Sequence, residues 1–294
     1  MSGRVLVFGA GGQLGHALLQ RVGASHSVMG LSRAEADICK PNEVGGALRD
    51  YKPTIVVNCA AYTAVDLAET ERELAFAANE DGPRILAEAS VGADVPLIHI
   101  STDYVFDGCT DRPYDEAAPV NPLNVYGKSK LAGEEAIQRS VSQHLIIRTG
   151  WLYGPSGRNF ATTILRQGME EKPLAVVHDQ AGTPTYVNDL VLALHAAIRT
   201  LQTPAFRSWG TYHFAGPDIV SWHRFACMIL DKADPTGKTL RPRRIGSSEF
   251  SRPAPRPPYS ALDSRKFRRT FGTSPRPLSE AISDCLDRIP GLQR

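Results

Sequence analysis

The sequence predicts an α/β protein whose first part is a Rossmann-type, doubly wound parallel sheet and whose later part is a smaller C-terminal α/β domain. Three observations support this class. Short β-branched runs alternate with longer helical patterns over the first 150 residues, and a glycine-rich loop directly follows the first run. Prolines collect late, because 17 of the 21 follow residue 112, whereas nine of the 25 glycines lie within the first 46 residues. The two halves of the chain therefore differ in composition.

The predicted sheet is built from five apolar runs of strand length. Continuous apolar runs between helices are typical of parallel strands that are buried on both faces. Helices long enough for right-handed crossovers are predicted between them. The predicted strands are Arg4 to Phe8, His26 to Leu31, Thr54 to Ala60, Pro96 to Ser101 and His144 to Arg148, and the predicted helices lie near Gly12 to Val22, Leu74 to Ser90 and Val125 to Ser140.

The pattern changes after Gly150, where the elements become shorter. We expect a dinucleotide-binding domain over residues 1–150, completed by a return segment near residues 175–215, and a mainly substrate-binding domain over residues 151–294. Four prolines in seven residues exclude regular structure from Arg252 to Pro258. The second half contains predicted helices at Asn188 to Thr200 and Ser221 to Lys232 and a predicted strand at Thr211 to Phe214.

Charge and hydropathy limit the classes of function. The net charge of +2 is near neutral for 294 residues, so we predict no nucleic-acid partner. No apolar run approaches the roughly 18 residues of a membrane span, and the N-terminus lacks the apolar core of a signal peptide, so we expect a cytoplasmic protein without a membrane partner. The charge is segregated, however, because ten basic residues accompany only Glu249 and Asp263 between Lys238 and Arg269.

The glycine loop after the first strand predicts a nucleotide site. The order of strand, glycine loop and helix brings backbone N–H groups and the positive end of a helix to a pyrophosphate, and glycine is needed where a Cβ would block close approach. A tight turn without a ligand is the alternative. The G-x-x-G-x-x-G spacing favours the short-chain dehydrogenase version of the fold. The predicted cofactor-binding residues of this loop are Gly9, Gly11, Gly12, Gln13 and Leu14.

The end of the second strand predicts which dinucleotide binds. An acidic side chain there would accept hydrogen bonds from the ribose 2′-hydroxyl, but this sequence has Ser32 and Arg33, which favour the 2′-phosphate of NADPH. A solvated loop arginine is the alternative, and use of NADH stays open. We expect Asp37 and Ile38 beside the adenine. Four residues after the third strand are predicted to pass the pyrophosphate and nicotinamide ribose, namely Ala60, Ala61, Tyr62 and Thr63.

A tyrosine and a lysine four residues apart predict the catalytic group. Of the nine tyrosines only Tyr126 is followed at this spacing by a lysine, Lys130, and positions i and i+4 share one face of a helix. A free phenol is a weak acid, and a nearby ammonium is expected to lower its pKa toward the working range. We therefore predict that Tyr126 gives a proton to a developing alkoxide and that Lys130 assists it or holds the cofactor ribose.

The third predicted catalytic residue lies at the end of the fourth strand, where open α/β sheets place their ligands. Thr102 is positioned to donate a hydrogen bond to a substrate carbonyl and polarise it for hydride attack. A Ser/Thr/Asp cluster that merely caps the strand end is the alternative. Asn79 is a candidate for a relay behind the lysine, and an ordinary helix cap explains it almost equally well.

These motifs together resemble the extended short-chain dehydrogenases, and within them the dTDP-4-dehydrorhamnose reductases. The resemblance covers nearly the whole chain, and its later motifs are more specific than the glycine loop and the tyrosine–lysine pair. The motifs are GAGGQLG at Gly9 to Gly15, NCAAYTAVDLAE at Asn58 to Glu69, STDYVFDG at Ser101 to Gly108, NPLNVYGKSKLAGE at Asn121 to Glu134, RTGWLYG at Arg148 to Gly154, NF at Asn159 and Phe160, DQAGTPTY at Asp179 to Tyr186 and RPPYSALDSRKF at Arg256 to Phe267.

The resemblance implies NADPH-dependent reduction of dTDP-4-dehydro-β-L-rhamnose at C4. It implies that Tyr126 is the proton donor, that Thr102 and Asp103 contact the sugar, and that Trp151 packs near the deoxysugar or the thymine nucleotide. The substrate diphosphate needs cationic partners, and Arg252 and Arg256 are candidates because prolines fix their loop. A solvated basic face is the alternative for these arginines.

Two departures from related patterns are informative. Sugar-nucleotide dehydratases carry a glutamate where this chain has Tyr104, so water elimination would lack its base. Members of the resembled family that hold magnesium at a dimer contact use a glutamate where this chain has Ala17. We therefore assign no metal-binding residues. Whether the protein uses magnesium and whether it forms a homodimer stay open. The alternatives are a non-catalytic NADP-binding regulatory subunit, like the β subunit of methionine adenosyltransferase, and a sugar-nucleotide epimerase.

Overall fold

The computed structural model describes residues 3–22, 27–170, 173–203, 206–234, 236 and 241–292. The strands are β1 (Arg4–Phe8), β2 (Ser27–Leu31), β3 (Ile55–Asn58), β4 (Leu97–Thr102), β5 (His144–Thr149), β6 (Leu152–Tyr153), β7 (Ala175–Val177), β8 (Ala181–Gly182), β9 (Thr185–Tyr186), β10 (Gly210–His213), β11 (Val220–Ser221) and β12 (Arg243–Ile245). The α-helices are α1 (Gln13–Val22), α2 (Pro41–Tyr51), α3 (Arg72–Phe76), α4 (Gly82–Ala93), α5 (Val125–Ser140), α6 (Phe160–Met169), α7 (Val187–Leu201), α8 (Trp222–Ala233), α9 (Arg265–Phe271) and α10 (Leu278–Asp287).

A six-stranded parallel sheet forms the centre of the fold, in the order β10-β5-β4-β3-β1-β2. The α/β class with a parallel sheet is thus confirmed. Chain connections leave β1 toward β2 on one side and reach β3 on the other. The sheet therefore has its switch point between β1 and β3, and the crevice outside their carboxyl ends is where open α/β sheets bind ligands.

The sheet is buried on both faces because successive strand residues point to opposite sides. Val5, Val7 and Ile55 belong to a core cluster that also contains residues of α1, α7 and α8. Leu6 and Val56 belong to a second cluster, which contains residues of α2, α4 and α5. This double burial explains why the strand sequences are continuous apolar runs without alternation.

Short strand pairs build the later part of the chain. β7 pairs with β12, β8 with β11 and β6 with β9, while α6 and α8 pack beside them. Among these late elements β10 is different, because it joins the central sheet next to β5. The segment from Arg252 to Pro258 contains no helix or strand, as its prolines predict. No helix within the described residues is long and apolar enough to span a membrane.

Two parts of the predicted secondary structure are wrong. The sequence analysis missed α2, whose two glycines, Gly45 and Gly46, lower its helix propensity even though Val44 and Leu48 bury one face. The single helix predicted from Leu74 to Ser90 is interrupted by a π-helical turn at Ala77–Asp81, which brings the buried Asn79 against α5. His26 and Lys238, which begin a predicted strand and the basic segment, lie outside the described residues.

Candidate active site

The glycine loop has the geometry that close approach to a pyrophosphate requires. Gly9 has a φ of 82°, and a Cβ at Gly15 would lie 2.3 Å from the Gly9 carbonyl oxygen. The loop is therefore drawn tightly under the start of α1, which carries no acidic residue in its first turn. The side-chain amide nitrogen of Gln13 is buried there without a hydrogen-bond partner. A glycine loop that leads into a helix without an acidic residue in its first turn suits the phosphates of a dinucleotide.

The end of β2 carries one group that the sequence analysis missed. Ser32 donates from its backbone N–H and its hydroxyl to the Glu35 carboxylate, both over 2.7 Å, so an acid does stand near this edge. Arg33 extends into solvent and donates to Asp37 over 3.2 Å. Ile38 is buried against Gly82. The predicted adenosine edge thus combines an exposed guanidinium, that of Arg33, with a carboxylate two residues later, that of Glu35.

The segment after β3 follows the sheet edge beside the loop. Its backbone meets Gly9 directly, because a Cβ on that glycine would lie 2.4 Å from the Ala60 nitrogen. Tyr62 is fixed to the π-helical turn, since its N–H donates to Asn79 over 2.8 Å and its carbonyl accepts from the same side chain. Of the remaining predicted cofactor contacts here, Ala61 and Thr63 flank Tyr62, and both are partly or fully exposed.

Tyr126 and Thr102 meet at the C-terminal edge of the sheet. Tyr126 is in the first turn of α5, whose start is capped by Asn124 through the Gly127 N–H over 2.8 Å. Burial raises the pKa of Tyr126 to about 12, while a hydrogen bond with the Thr102 side chain acts in the opposite direction. The phenol is therefore fully protonated at neutral pH, as a proton donor has to be. The Tyr104 ring packs edge-on to it with centroids 5.9 Å apart.

Lys130 does not act on Tyr126 in the way that the sequence analysis expected. Its side-chain nitrogen, Nζ, lies 2.7 Å from the Ile100 carbonyl and 3.1 Å from His99 Nε2, in the interior between α5 and β4. Burial lowers the pKa of Lys130 to about 8, and Lys130 is not a cause of the Tyr126 shift. The expected lowering of the tyrosine pKa is thus wrong for this arrangement, because the two groups have different neighbours.

Asp103 is buried beside Thr102. Burial raises the pKa of its carboxyl to about 6, and hydrogen bonds from Ser260 and Thr102 oppose that shift. One oxygen, Oδ2, has no hydrogen-bond partner. A Cβ on Gly150 would lie 2.5 Å from the carboxyl carbon, so the group is confined by the end of β5 as well. The Oδ2 atom of Asp103 is therefore free to accept a hydrogen bond from a ligand at the edge of the crevice.

A buried ion pair beneath the edge was not predicted. Arg148 donates to Glu134 through Nη2 over 2.6 Å and through Nε over 3.0 and 3.1 Å, and Ser101 donates to the same carboxylate. This network joins α5, β5 and the residue before Thr102. It therefore fixes the helix that carries Tyr126 against the strand that carries Thr102. The charged Arg148 inside the apolar run of β5 was the available signal.

A cavity of about 920 Å³ adjoins this edge and reaches into the later part of the chain. Its volume is that of a typical small-molecule site. Aromatic and basic side chains share its wall, namely Tyr104, Phe160, Trp222, Phe250, Arg252 and Arg256. Trp151 lies behind this wall, because its ring stacks on Trp222 at a centroid distance of 3.4 Å.

Arg252 and Arg256 are already paired in this structure. Arg256 donates to both oxygens of Asp66, through Nη2 over 2.9 Å and through Nη1, and Arg252 donates to Asp66 over 3.0 Å. The Arg256 guanidinium, by its hydrogen bonds, holds the pKa of Asp66 near 2. Arg256 also hydrogen-bonds to the Tyr104 side chain. Asp66, in the segment after β3, thus holds the two predicted diphosphate ligands in place at the cavity wall. The sequence analysis did not predict a role for this carboxylate.

Within the described residues, no group of three or more His, Cys, Asp or Glu side chains is arranged to hold a metal ion. The constellation instead consists of a glycine loop, a phenol, a threonine and a mixed aromatic and basic cavity. The profile of the RmlD substrate binding domain matches residues 3–290.

The chain belongs to the RmlD family. A dTDP-4-dehydrorhamnose reductase of Sinorhizobium fredii is 40% identical over 271 residues, which are 92% of each chain. The enzyme of the same name from Salmonella typhimurium is 38% identical over 275 residues, or 91% of each chain. These matches confirm the resemblance stated above.

A solved structure of the RmlD relative from Bacillus anthracis aligns with a TM-score of 0.90 and 35% identity, covering 97% of this chain and 99% of the other. That dTDP-4-dehydrorhamnose reductase is in complex with NADP. The ortholog from Clostridium acetobutylicum aligns with a TM-score of 0.89 and 36% identity, covering 97% and 98%. A nicotinamide dinucleotide is therefore the cofactor class of this fold.

Proposed function

We propose that this protein reduces the C4 ketone of dTDP-4-dehydro-β-L-rhamnose to dTDP-β-L-rhamnose with NADPH. The observation that carries the proposal is the Tyr126–Thr102 pair at the sheet edge, with Tyr104 in the place where a dehydratase has its glutamate. The relatives at 38% to 40% identity carry the name of this activity. The pair supplies an acid and a hydrogen-bond donor, which are the two groups that a ketone needs when it becomes an alcohol.

In this proposal the cofactor lies across the crevice between β1 and β3. Gly9, Gly11, Gly12, Gln13 and Leu14 hold its pyrophosphate, and Ala60, Ala61, Tyr62 and Thr63 follow the nicotinamide ribose. Bound NADPH supplies the hydride that reduces C4 of the sugar. Arg33, with Ser32, contacts the 2′-phosphate, while Asp37 and Ile38 lie beside the adenine. The chain's own task is to align the two reactants and exclude water.

Tyr126 transfers its phenolic proton to the C4 oxygen of the sugar. Thr102 is hydrogen-bonded to the phenol before reaction and is close enough to the acid to share the same oxygen. Lys130 lies one turn further along α5 and holds the cofactor ribose once the cofactor is bound. Asp103, whose Oδ2 is unpartnered, accepts a sugar hydroxyl. Without a carboxylate base at position 104, the chemistry stops at reduction and does not proceed to elimination.

The sugar nucleotide occupies the cavity beside Tyr104. Phe160 and Trp222 offer ring faces to its base or deoxysugar, and Trp151 supports Trp222 from behind. Arg252 and Arg256 bind the diphosphate, since both line the cavity and prolines fix their backbone. In domain terms, residues 1–150 with β10 hold the cofactor and most of residues 151–294 surround the substrate.

The proposal is tested by following NADPH oxidation with dTDP-4-keto-6-deoxysugar generated in situ. A reductase oxidises one NADPH per ketosugar and yields a single 4-hydroxy product. An epimerase would interconvert sugars without net oxidation of added NADPH. A regulatory subunit would bind NADPH but turn over no nucleotide-linked ketosugar, and that result would overturn the proposal.

A further inference from the structure

Three buried polar side chains form a chain beneath the proposed site. Asn58 ends β3, His99 lies opposite it in β4, and Lys130 reaches them from α5. Their exposed fractions are 0%, 0% and 2%. Asn58 Nδ2 lies 3.0 Å from His99 Nδ1, and His99 Nε2 lies 3.1 Å from Lys130 Nζ. Neither Asn58 nor His99 has a role in the reaction described above.

The direction of these hydrogen bonds follows from the residue beyond Asn58. The Ala60 N–H donates to Asn58 Oδ1 over 2.9 Å, so the amide oxygen is occupied and the NH₂ group faces His99. An amide nitrogen can only donate, and His99 Nδ1 must therefore accept. Burial, with Lys130 nearby, depresses the pKa of His99 well below its usual value, so the ring is neutral. A neutral imidazole that accepts at Nδ1 carries its hydrogen on Nε2.

That hydrogen points at Lys130. An ammonium group has three hydrogens and no lone pair, so it cannot accept from His99 Nε2–H. A neutral amine can accept there with its lone pair and still donate to the Ile100 carbonyl, which lies 2.7 Å from Nζ. The observed contacts thus match the valence of a neutral amine and conflict with that of an ammonium.

We propose that Asn58 and His99 are positioning residues that fix the imidazole tautomer and thereby favour the neutral amine of Lys130 before the cofactor binds. Binding of the nicotinamide cofactor then turns Nζ toward the ribose hydroxyls, where the charged form is favoured, and Lys130 takes up a proton from solvent. This inference rests on the proposed function, because it requires that the cofactor binds at this edge.

The other groups that act on Lys130 oppose this effect and do not cancel it. Glu134, one turn further along α5, favours the charged form, as Cys59, just after β3, would do only as a thiolate, yet burial still lowers the pKa of Lys130 to about 8. The Glu134 carboxylate is itself neutralised by Arg148 on β5. Tyr126 and Cys59 have pKa values raised by burial to about 12 and stay protonated up to pH 9. Lys130 is therefore the group in this cluster that titrates near pH 8.

The test is calorimetric titration of the whole protein with NADPH in buffers of different ionisation enthalpy, which counts the protons taken up. A resting pKa of about 8 and an ordinary lysine value of about 10.4 in the complex predict uptake of about 0.2 proton at pH 7.5 and about 0.7 proton at pH 8.5. The cofactor's 2′-phosphate, with a pKa near 6, contributes almost nothing to the proton uptake in this pH range. Uptake near zero at both pH values overturns the inference.

Asn58→Asp reverses the hydrogen-bond chain with little change of shape. A carboxylate can accept from both Ala60 N–H and His99 Nδ1–H, which leaves Nε2 free to accept from an ammonium. We expect proton uptake at pH 8.5 to fall toward zero. Asn188→Asp is the matched control, since Asn188 lies at the start of α7 and donates to Tyr186, and its uptake should equal that of the unaltered protein. Unchanged uptake in Asn58→Asp contradicts the proposal.

The tautomer can be read without any variant that alters the fold. In protein labelled with ¹⁵N-histidine and held at pH 9, where a pKa of about 8 leaves Lys130 mainly neutral, His99 should show a protonated Nε2 and an unprotonated Nδ1. The reverse pattern refutes the inference. The same titration separates the two proposals, because absence of any binding heat or cofactor affinity refutes the proposed function, whereas tight binding without proton uptake refutes only the role of His99.

Discussion

Two regions that border the crevice are built by opposite means. The cofactor edge, Gly9–Gly15 with the start of α1, depends on side chains that are absent, because a Cβ on Gly9 or Gly15 would collide with backbone atoms. The proline segment, Arg252–Pro258, depends on side chains that are present, because its two arginines are fixed by Asp66. Added atoms should therefore damage the first region, and removed charge should damage the second.

Tyr126 is the proposed proton donor, and its removal should have the largest effect. Tyr126→Phe keeps the ring that packs on Tyr104 but loses the acidic hydrogen, so turnover should fall by roughly 100-fold or more. NADPH affinity should stay within about twofold, because the lost interaction matters mainly in the transition state. Steady-state kinetics and fluorescence titration measure both quantities. Full turnover in Tyr126→Phe would mean that another group supplies the proton.

Gly15→Ala tests the cofactor edge. The new methyl would lie 2.3 Å from the Gly9 carbonyl, so the loop must shift. We expect NADPH affinity to fall by about tenfold or more and the free energy of unfolding to drop by about 1–3 kcal/mol. Thermal denaturation with and without NADPH separates the two effects.

Gly11→Ala is the control for that prediction, since its Cβ would have only one neighbour, Ser32 Cβ at 3.9 Å. It should leave the unfolding temperature of the free protein unchanged. If Gly15→Ala is equally well tolerated, the loop does not depend on close backbone packing and the contrast with the proline segment disappears.

Arg33→Glu tests a part of the cofactor edge that does use a charge. Arg33 is largely exposed and pairs only with Asp37 among the ion pairs described, so it is available for a 2′-phosphate. The change should lower the ratio of NADPH to NADH efficiency by roughly tenfold or more, because like charges then meet. Arg49→Glu, the same charge change at the end of α2, should leave the ratio unaltered. An unchanged ratio in Arg33→Glu places the 2′-phosphate elsewhere.

Asp66→Asn tests the proline segment. Loss of the shared carboxylate leaves two arginines without their anion, and we expect a loss of about 1–3 kcal/mol in unfolding free energy. Glu88→Gln is the matched control, because its exposed pair with Arg84 should contribute about 0.5 kcal/mol or less. Denaturant unfolding at neutral pH compares them, and equal losses would contradict the role given to Asp66.

The same carboxylate predicts a pH dependence with a definite sign. The folded-state pKa of Asp66 is about 2, below its ordinary value of 3.8. Its contribution is therefore complete above about pH 4 and is lost as the pH falls toward 2. The stability difference between the unaltered protein and Asp66→Asn should be constant from pH 5 to pH 8 and should shrink below pH 4. A difference that grows on acidification would exclude this assignment.

The same two regions show what a sequence can and cannot reveal. The strand, glycine loop and helix at Arg4–Val22 follow one another, so their pattern is local and was predicted. Asp66 pairs with Arg256 across 190 positions of the chain, and the sequence around either residue does not predict this ion pair. The helix α2 was missed because two glycines weaken its propensity while burial of Val44 and Leu48 stabilises it.

The residues of the site likewise divide into those that a local pattern predicts and those whose contacts depend on distant parts of the chain. Spacing and position after strands predict Tyr126, Lys130 and Thr102 as catalytic residues, and the structure brings the tyrosine and the threonine within hydrogen-bond distance. The direction in which Lys130 points depends on His99 and Ile100 in a neighbouring strand, which helical spacing cannot report. A histidine within the apolar run of β4 and an asparagine at the end of β3 were the visible signals of that buried chain.

The central claim, that this chain transfers a hydride to C4 of a dTDP-linked ketosugar and a proton to its oxygen, is tested most directly by isotope transfer. The protein is given dTDP-4-keto-6-deoxy-L-sugar with NADPH deuterated at C4 of the nicotinamide, in separate reactions for each face. One of the two reactions should place one deuterium on C4 of the product sugar, seen by mass spectrometry and by loss of the C4 proton signal. A product without deuterium from either cofactor, or no product at all, would contradict the account.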